Sequence, residues 1–359
     1  MKFLLPFLFL FGGHFLQAQK VIPMVDFNTY FRSFQDGFFR QIEFQPIQQY
    51  KAGDELVGYV DFRGNLRVYD GVKPMDLSNM NVEYEVSDHL LIWKIGETIN
   101  VWDAGKKQTL TFNARNYWLR DSIVVFEDLR YGSVSAYYKG NIFPLYTTIG
   151  EFDPPDMVGE NVVAFRDNGN YNKIFWRGQI FDIDVTHHAV EYAVGTDIVA
   201  FNDPMTGTFV VFESGTFADV EDFQMPKFKA GRGFIVYENI NGDLMYYSKG
   251  TKKQLSNFGA SFWDVRDDVA IWEENGFTYA LSNGQKVELA RYRPADYLLK
   301  NGVVAFRNIM GGVSALVDGK IHEITTQMNT EYEIFGNAVL VKLFNNSFLV
   351  FKDGRKFNL

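Results

Sequence analysis

The sequence predicts an all-β chain assembled from one four-stranded antiparallel unit repeated about every 35 residues, and three observations carry that expectation. Short apolar runs end in an aromatic at Tyr59, Trp93, Phe126, Phe165, Phe201, Tyr237, Trp272 and Phe306, with Val341 in the ninth place, spaced 33 to 39 residues apart. Nine residues before each lies a second aromatic (Tyr50, Tyr84, Tyr117, Tyr192, Phe228, Trp263, Tyr297, Tyr332), a column broken only at Asp156. A Gly follows every run, at Gly71, Gly105, Gly140, Gly178, Gly215, Gly250, Gly284, Gly319 and Gly354. Four antiparallel strands in about 35 residues, repeated and punctuated by hairpin Gly, is the signature of a β-propeller blade.

Each element has a physical reason. Runs such as VVAF and IVAF are short, β-branched and aromatic, as strands buried between packed sheets must be. A second Gly series (Gly64, Gly96, Gly132, Gly169, Gly207, Gly242, Gly276, Gly311) falls between the second and third strands. Gly at a hairpin tip supplies the positive φ of a tight turn. The aromatic columns are filler between neighbouring blades. Eight to nine such repeats are expected over residues 48–359. Residues 19–47 read as an N-terminal segment holding half a blade, with Phe34, Gly37 and then Ile42 five residues on.

Residues 1–18 have one basic residue, Lys2, then an apolar run and Leu16-Gln17-Ala18. That is the layout of a cleaved secretory signal, and the run is too short to span a bilayer. No Cys stands at the cleavage point to take a lipid anchor, so a periplasmic protein peripheral to the outer membrane is expected. The chain has 0 Cys, which excludes disulfides and thiolate metal sites. Its net charge of −9, with Lys and Arg scattered, argues against nucleic acid or direct membrane insertion.

No catalytic constellation stands out, and no cofactor is expected. His187 and His188 are adjacent, so a strand would point them to opposite faces. Asp167-Asn168-Gly169-Asn170 begins like a calcium loop, but the twelfth position is Gly178 where a bidentate acid belongs. Asp61, Glu127, Asp128, Asp167, Asp203, Glu238, Glu273 and Glu274 follow the apolar runs. They read as a solvated rim, or alternatively as paired carboxylates of a carbohydrate-binding or glycoside-processing propeller.

Length variation in a repeat array marks one face, often the binding face. The longest connection is YTTIGEFDPPDM, residues 146–157. Protein-binding candidates are therefore Phe152, Asp153, Pro154, Pro155 and Asp156, with Phe31, Phe38 and Phe39 of the aromatic N-terminal segment.

Units such as KAGRGFIVYENINGDLMYYSKGTKKQLS resemble TolB-type and WD-type propeller blades. The leader ending in QA before Gln19 looks like those of exported Bacteroidota proteins. With VIPMVDFNTYFRSFQDGFFRQIEF, the chain is similar in general appearance to plug subunits of the type 9 secretion translocon. That resemblance implies a non-enzymatic periplasmic subunit whose partner is an outer-membrane secretion channel or another envelope protein.

Overall fold

The computed structural model describes residues 21–80, 82–148, 154–257, 259–282 and 284–359. It contains ten antiparallel sheets, nine of four strands and one of three, each with strands adjacent in chain order. Blade 1 comprises Ile22–Val25, Tyr30–Gln35 and Phe38–Pro46. Blades 2 to 10 span 49–78, 83–111, 117–147, 157–186, 192–221, 227–256, 262–290, 297–325 and 331–358. The propeller therefore has ten blades where the repeat columns led to an expectation of eight to nine. Among the described residues no helix is long and apolar enough to cross a membrane.

First strands of successive blades touch one another, which places them on the ring axis and the fourth strands on the rim. The second strands are buried on both sides, as in Val162–Arg166 and Ile198–Asn202. Each sheet is sandwiched between two others, so its β-branched and aromatic residues face no water. Fourth strands such as KKQTLT and TKKQLS expose charged residues at their starts. That charge blunts an open sheet edge.

Apolar clusters straddle neighbouring blades. Val162, Ala164 and Ile174 of blade 5 pack with Val199, Phe201 and Phe212 of blade 6. Fully burying such a side chain is worth about 1.5–3 kcal/mol, so the ring is held by its interfaces more than by any single sheet.

Blade 1 read as only half a blade for a structural reason. Its Asp36-Gly37 turn has both residues at positive φ, as have Ala104-Gly105, Lys139-Gly140 and Ser214-Gly215 at the third-to-fourth-strand turns. A bulge at Tyr30/Arg32 matches bulges such as Ile99/Asn100 and Phe209/Val210 in the same hairpin elsewhere. Its three strands are therefore equivalent to strands two, three and four. The innermost strand, which carries the aromatic column, has no counterpart among the described residues.

Blade 1 nonetheless closes the ring. Ile22, Met24 and Phe34 pack on Phe335, Leu340 and Val350 of blade 10. Val21 and Phe31 pack on Val57, Tyr59 and Tyr69 of blade 2. Polar bonds follow: Tyr69 donates to Gln35 Oε1 at 3.1 Å, and Tyr59 donates to Glu43 Oε1 at 2.6 Å.

Candidate functional site

An antiparallel four-strand meander puts its first and third turns on one face of the ring. Its middle loop and the connection to the next blade lie on the other. The two faces differ in chemistry.

On the middle-loop face, the residue ending the second strand caps its own loop. Asp61 Oδ1 accepts the amides of Arg63 at 2.8 Å and Asn65 at 2.9 Å. Asp167 Oδ1 does the same for Gly169 and Tyr171 at 2.8 and 3.0 Å. Asn239 and Asn308 repeat the pattern with their amide oxygens, and Asp26 repeats it in blade 1. These are side-chain-closed turns in which Asp and Asn are interchangeable. Burial pushes the Asp167 carboxyl up, but the backbone amides and Lys173 outweigh it and hold the group below its ordinary range.

Those capped loops lift apolar side chains into solvent. The residue after the cap is Phe27, Phe62, Ile240 or Ile309, and Phe27 and Ile309 are each 76% exposed. Tyr131, Tyr171, Met205, Met310 and Phe344 stand exposed on the same tips. Between blades, Met80, Phe112, Phe223 and Met328 project from connections on this face, and Phe44 is exposed near the end of blade 1's last strand. The sequence signal was an apolar residue directly after a loop Asp or Asn (DFNT, DFRG, NING, NIMG), which the repeat columns did not capture.

On the opposite face, the first turns converge on the axis. Lys300 Nζ of blade 9 lies 2.7 Å from Asp54 Oδ1 of blade 2 and 3.2 Å from Asp88 Oδ1 of blade 3. Asp54 also accepts the Gly336 amide of blade 10 at 2.9 Å and a bond from Asn301 Nδ2. Arg232 of blade 7 donates to Asn301 Oδ1 at 3.1 Å and sits 3.6 Å from Asp268 of blade 8. Thr196 donates its hydroxyl to Glu160. Burial raises the Glu160 carboxyl above its ordinary range, and Asp267 and Asp121 add to the shift. His89 Nδ1 lies 2.7 Å from Glu55 Oε2, with Asp121 3.6 Å from Nε2.

The candidate residues fare differently. Phe31 is wholly buried at the blade 1–blade 2 seam, so it is taken up by packing and is not a surface contact. Phe39 is half-buried, its ring 5.0 Å from that of Phe34. Phe38 is 69% exposed, but on the third-turn face. Pro154 and Asp156 are exposed and Pro155 is buried. Asp156 lies 3.4 Å from Arg166. Phe152 and Asp153 lie outside the described residues, as does the leader at 1–18. His187 and His188 are exposed. Among the described residues no group of three or more His, Asp or Glu is placed to hold a metal.

Comparison with solved structures finds the computationally designed Ika8 protein at 14% identity, over 95% of this chain and 99% of that one, with a TM-score of 0.36. Hsv2p of Kluyveromyces lactis is 11% identical over 66% and 92%, with a TM-score of 0.29. Prp20p of Saccharomyces cerevisiae is 10% identical over 70% and 90%, with a TM-score of 0.31. No curated protein matches. The family model of a 10-bladed beta propeller domain matches residues 15–357. That match agrees with the ten sheets counted along the chain, and this protein belongs to the family of 10-bladed β-propeller domains.

Proposed function

We propose that the protein is a non-catalytic periplasmic ring that docks face-on to an outer-membrane protein, as a plug or accessory subunit on the periplasmic side of a secretion channel. The observation that carries this reading is the middle-loop face, where Phe27, Phe62, Tyr131, Ile240, Ile309 and Phe344 stand exposed on six different blades. Large apolar side chains repeated on the loops of one face are what a docking surface for another protein presents.

Side-chain caps hold these loops in place, so little ordering cost would oppose docking. The described ends of the connection at 146–157, at Thr148 and Pro154, lie on this same face. Residues 1–18 supply the route of export, and the resemblance to type 9 plug subunits supplies the class of channel. On this reading the loop Asp residues are turn caps, their carboxylates already accepting backbone amides.

The test is purification of the tagged protein from detergent-solubilised envelopes, followed by native mass spectrometry. Recovery of an outer-membrane channel in fixed stoichiometry supports the reading. A bare monomer overturns it.

A further inference from the structure

Blade 1 contributes no strand on the axial side of Ile22–Val25 among the described residues, and a cavity of about 490 Å³ lies among the first strands of the blades around it. Its walls come from the first strands of blades 2, 8, 9 and 10. Leu298, 38% exposed, gives it an apolar side, and Ile334 and Phe335, each 5% exposed, line it from the packed core behind. The volume falls within the range of small-ligand sites.

Four charged side chains line the cavity, and two are already committed. Lys51 donates to the Tyr84 carbonyl at 2.8 Å. Lys300 is held by Asp54 and Asp88. The other two, Arg266 and Glu333, make no hydrogen bond or ion pair with any described residue, each other included. This contrasts with Arg177, Arg232 and Arg307, each of which pairs with an acid. Burial, with Glu331 nearby, holds the Glu333 carboxyl above its ordinary range against the opposing charge of Lys300.

A solvent-exposed guanidinium and a solvent-exposed carboxylate without hydrogen-bond partners, beside the exposed Leu298, match a ligand with both charges on an apolar body. We propose that this axial cavity binds a small apolar zwitterion, its carboxylate on Arg266, its ammonium on Glu333 and its side chains against Leu298, Ile334 and Phe335. Arg presents parallel donors suited to a carboxylate. A free apolar amino acid and a short apolar peptide share this chemistry and differ in the separation of their charges.

Isothermal titration calorimetry on the full chain tests the site with L-leucine and L-leucyl-L-leucine as probes. The N-acetyl and amide forms of each serve as controls. At least one zwitterion is expected to bind, and the tighter one identifies the source. Blocking either end, or the substitutions Arg266→Gln and Glu333→Gln, is expected to weaken binding by about tenfold or more, the worth of a charged hydrogen bond. The blocked ligands make the same test on the unaltered protein, so the result does not rest on how the variants fold. No heat from either zwitterion at millimolar concentration overturns the proposal. Equal binding of blocked and unblocked forms, or unchanged affinity in both variants, overturns it as well.

Discussion

Asp54 and Lys300 meet at 2.7 Å although they belong to blades 2 and 9, which flank blades 10 and 1. Among the described residues blade 1 has no inner turn to separate its neighbours, and the turn of blade 2 reaches Gly336 of blade 10 and Lys300 beyond it. Asp54 is 5% exposed. Removing one partner of a buried pair strands the other, which costs about 3–5 kcal/mol. Asp88 stays within reach of Lys300, so Asp54→Ala is expected at the low end, about 3 kcal/mol. Chemical denaturation of D54A, K300M and the double variant reads the coupling. Additive losses would mean that the two do not clasp the ring together.

The hub of first turns is expected to loosen above neutral pH. Donation from His89 Nδ1 to the Glu55 carboxylate raises the His89 pKa to about 9 against the opposing effect of burial, with further support from Asp121, Glu55 and Asp88 charges. A raised pKa gives stability that is fully present below the unfolded value near 6.5 and is lost as pH rises through about 9. The His89 side chain is 42% exposed. Discounted for solvent screening, the loss is about 1 kcal/mol. Melting temperatures of the wild type between pH 6.5 and 9 should fall by more than those of His89→Gln, and parallel curves would refute the assignment.

Gly195 is needed for space. A Cβ there would sit 2.0 Å from the Gly231 carbonyl oxygen of the adjacent blade's first turn. Backbone cannot yield that distance without shifting a blade, so Gly195→Ala is expected to cost more than about 3 kcal/mol, the upper range for overpacking. Gly207 is the contrasting case, with φ of +75° and nothing within 4 Å of an added Cβ. Gly207→Ala should lose only about 1 kcal/mol through backbone strain. Equal melting temperatures for the two variants would contradict the crowding at the axis.

Much of this was legible in the sequence because blade packing repeats. The second-strand aromatics at Phe165, Phe201 and Tyr237 are buried as their column implied. Blade 1 read as only half a blade because its second strand, IPMV, carries no marker aromatic and the first strand that would carry the other is absent among the described residues, leaving Phe34, Gly37 and Ile42 in view. The acidic column read as a rim or as paired carboxylates, since Asp167 and Asp203 drew attention as acids. Their turn-capping role emerges only when Asn239 and Asn308 are seen at the same position, where an amide oxygen serves equally well. The axial hub was beyond any local pattern. Asn301 and Asp54 are 247 residues apart, and only ring closure brings them together.

Docking and folding should separate cleanly at two sets of aromatics. Phe62 and Phe344 are 48% and 66% exposed on the middle-loop face, and neither ring belongs to a core cluster. Phe62→Asp with Phe344→Asp is expected to change stability by no more than about 0.5 kcal/mol, as surface changes usually do. The same pair should abolish co-purification of the outer-membrane partner, because a charge in the desolvated centre of an interface has no counterion. Phe31 is wholly buried, with ring centroids 4.9 Å from Tyr59 and 6.0 Å from Tyr69. Phe31→Ala should cost about 3–5 kcal/mol of stability. Material that remains folded should still capture the partner. The measurement is a thermal melt beside a pull-down for each variant. A double aspartate variant that melts normally and still captures its channel would show that the partner docks elsewhere.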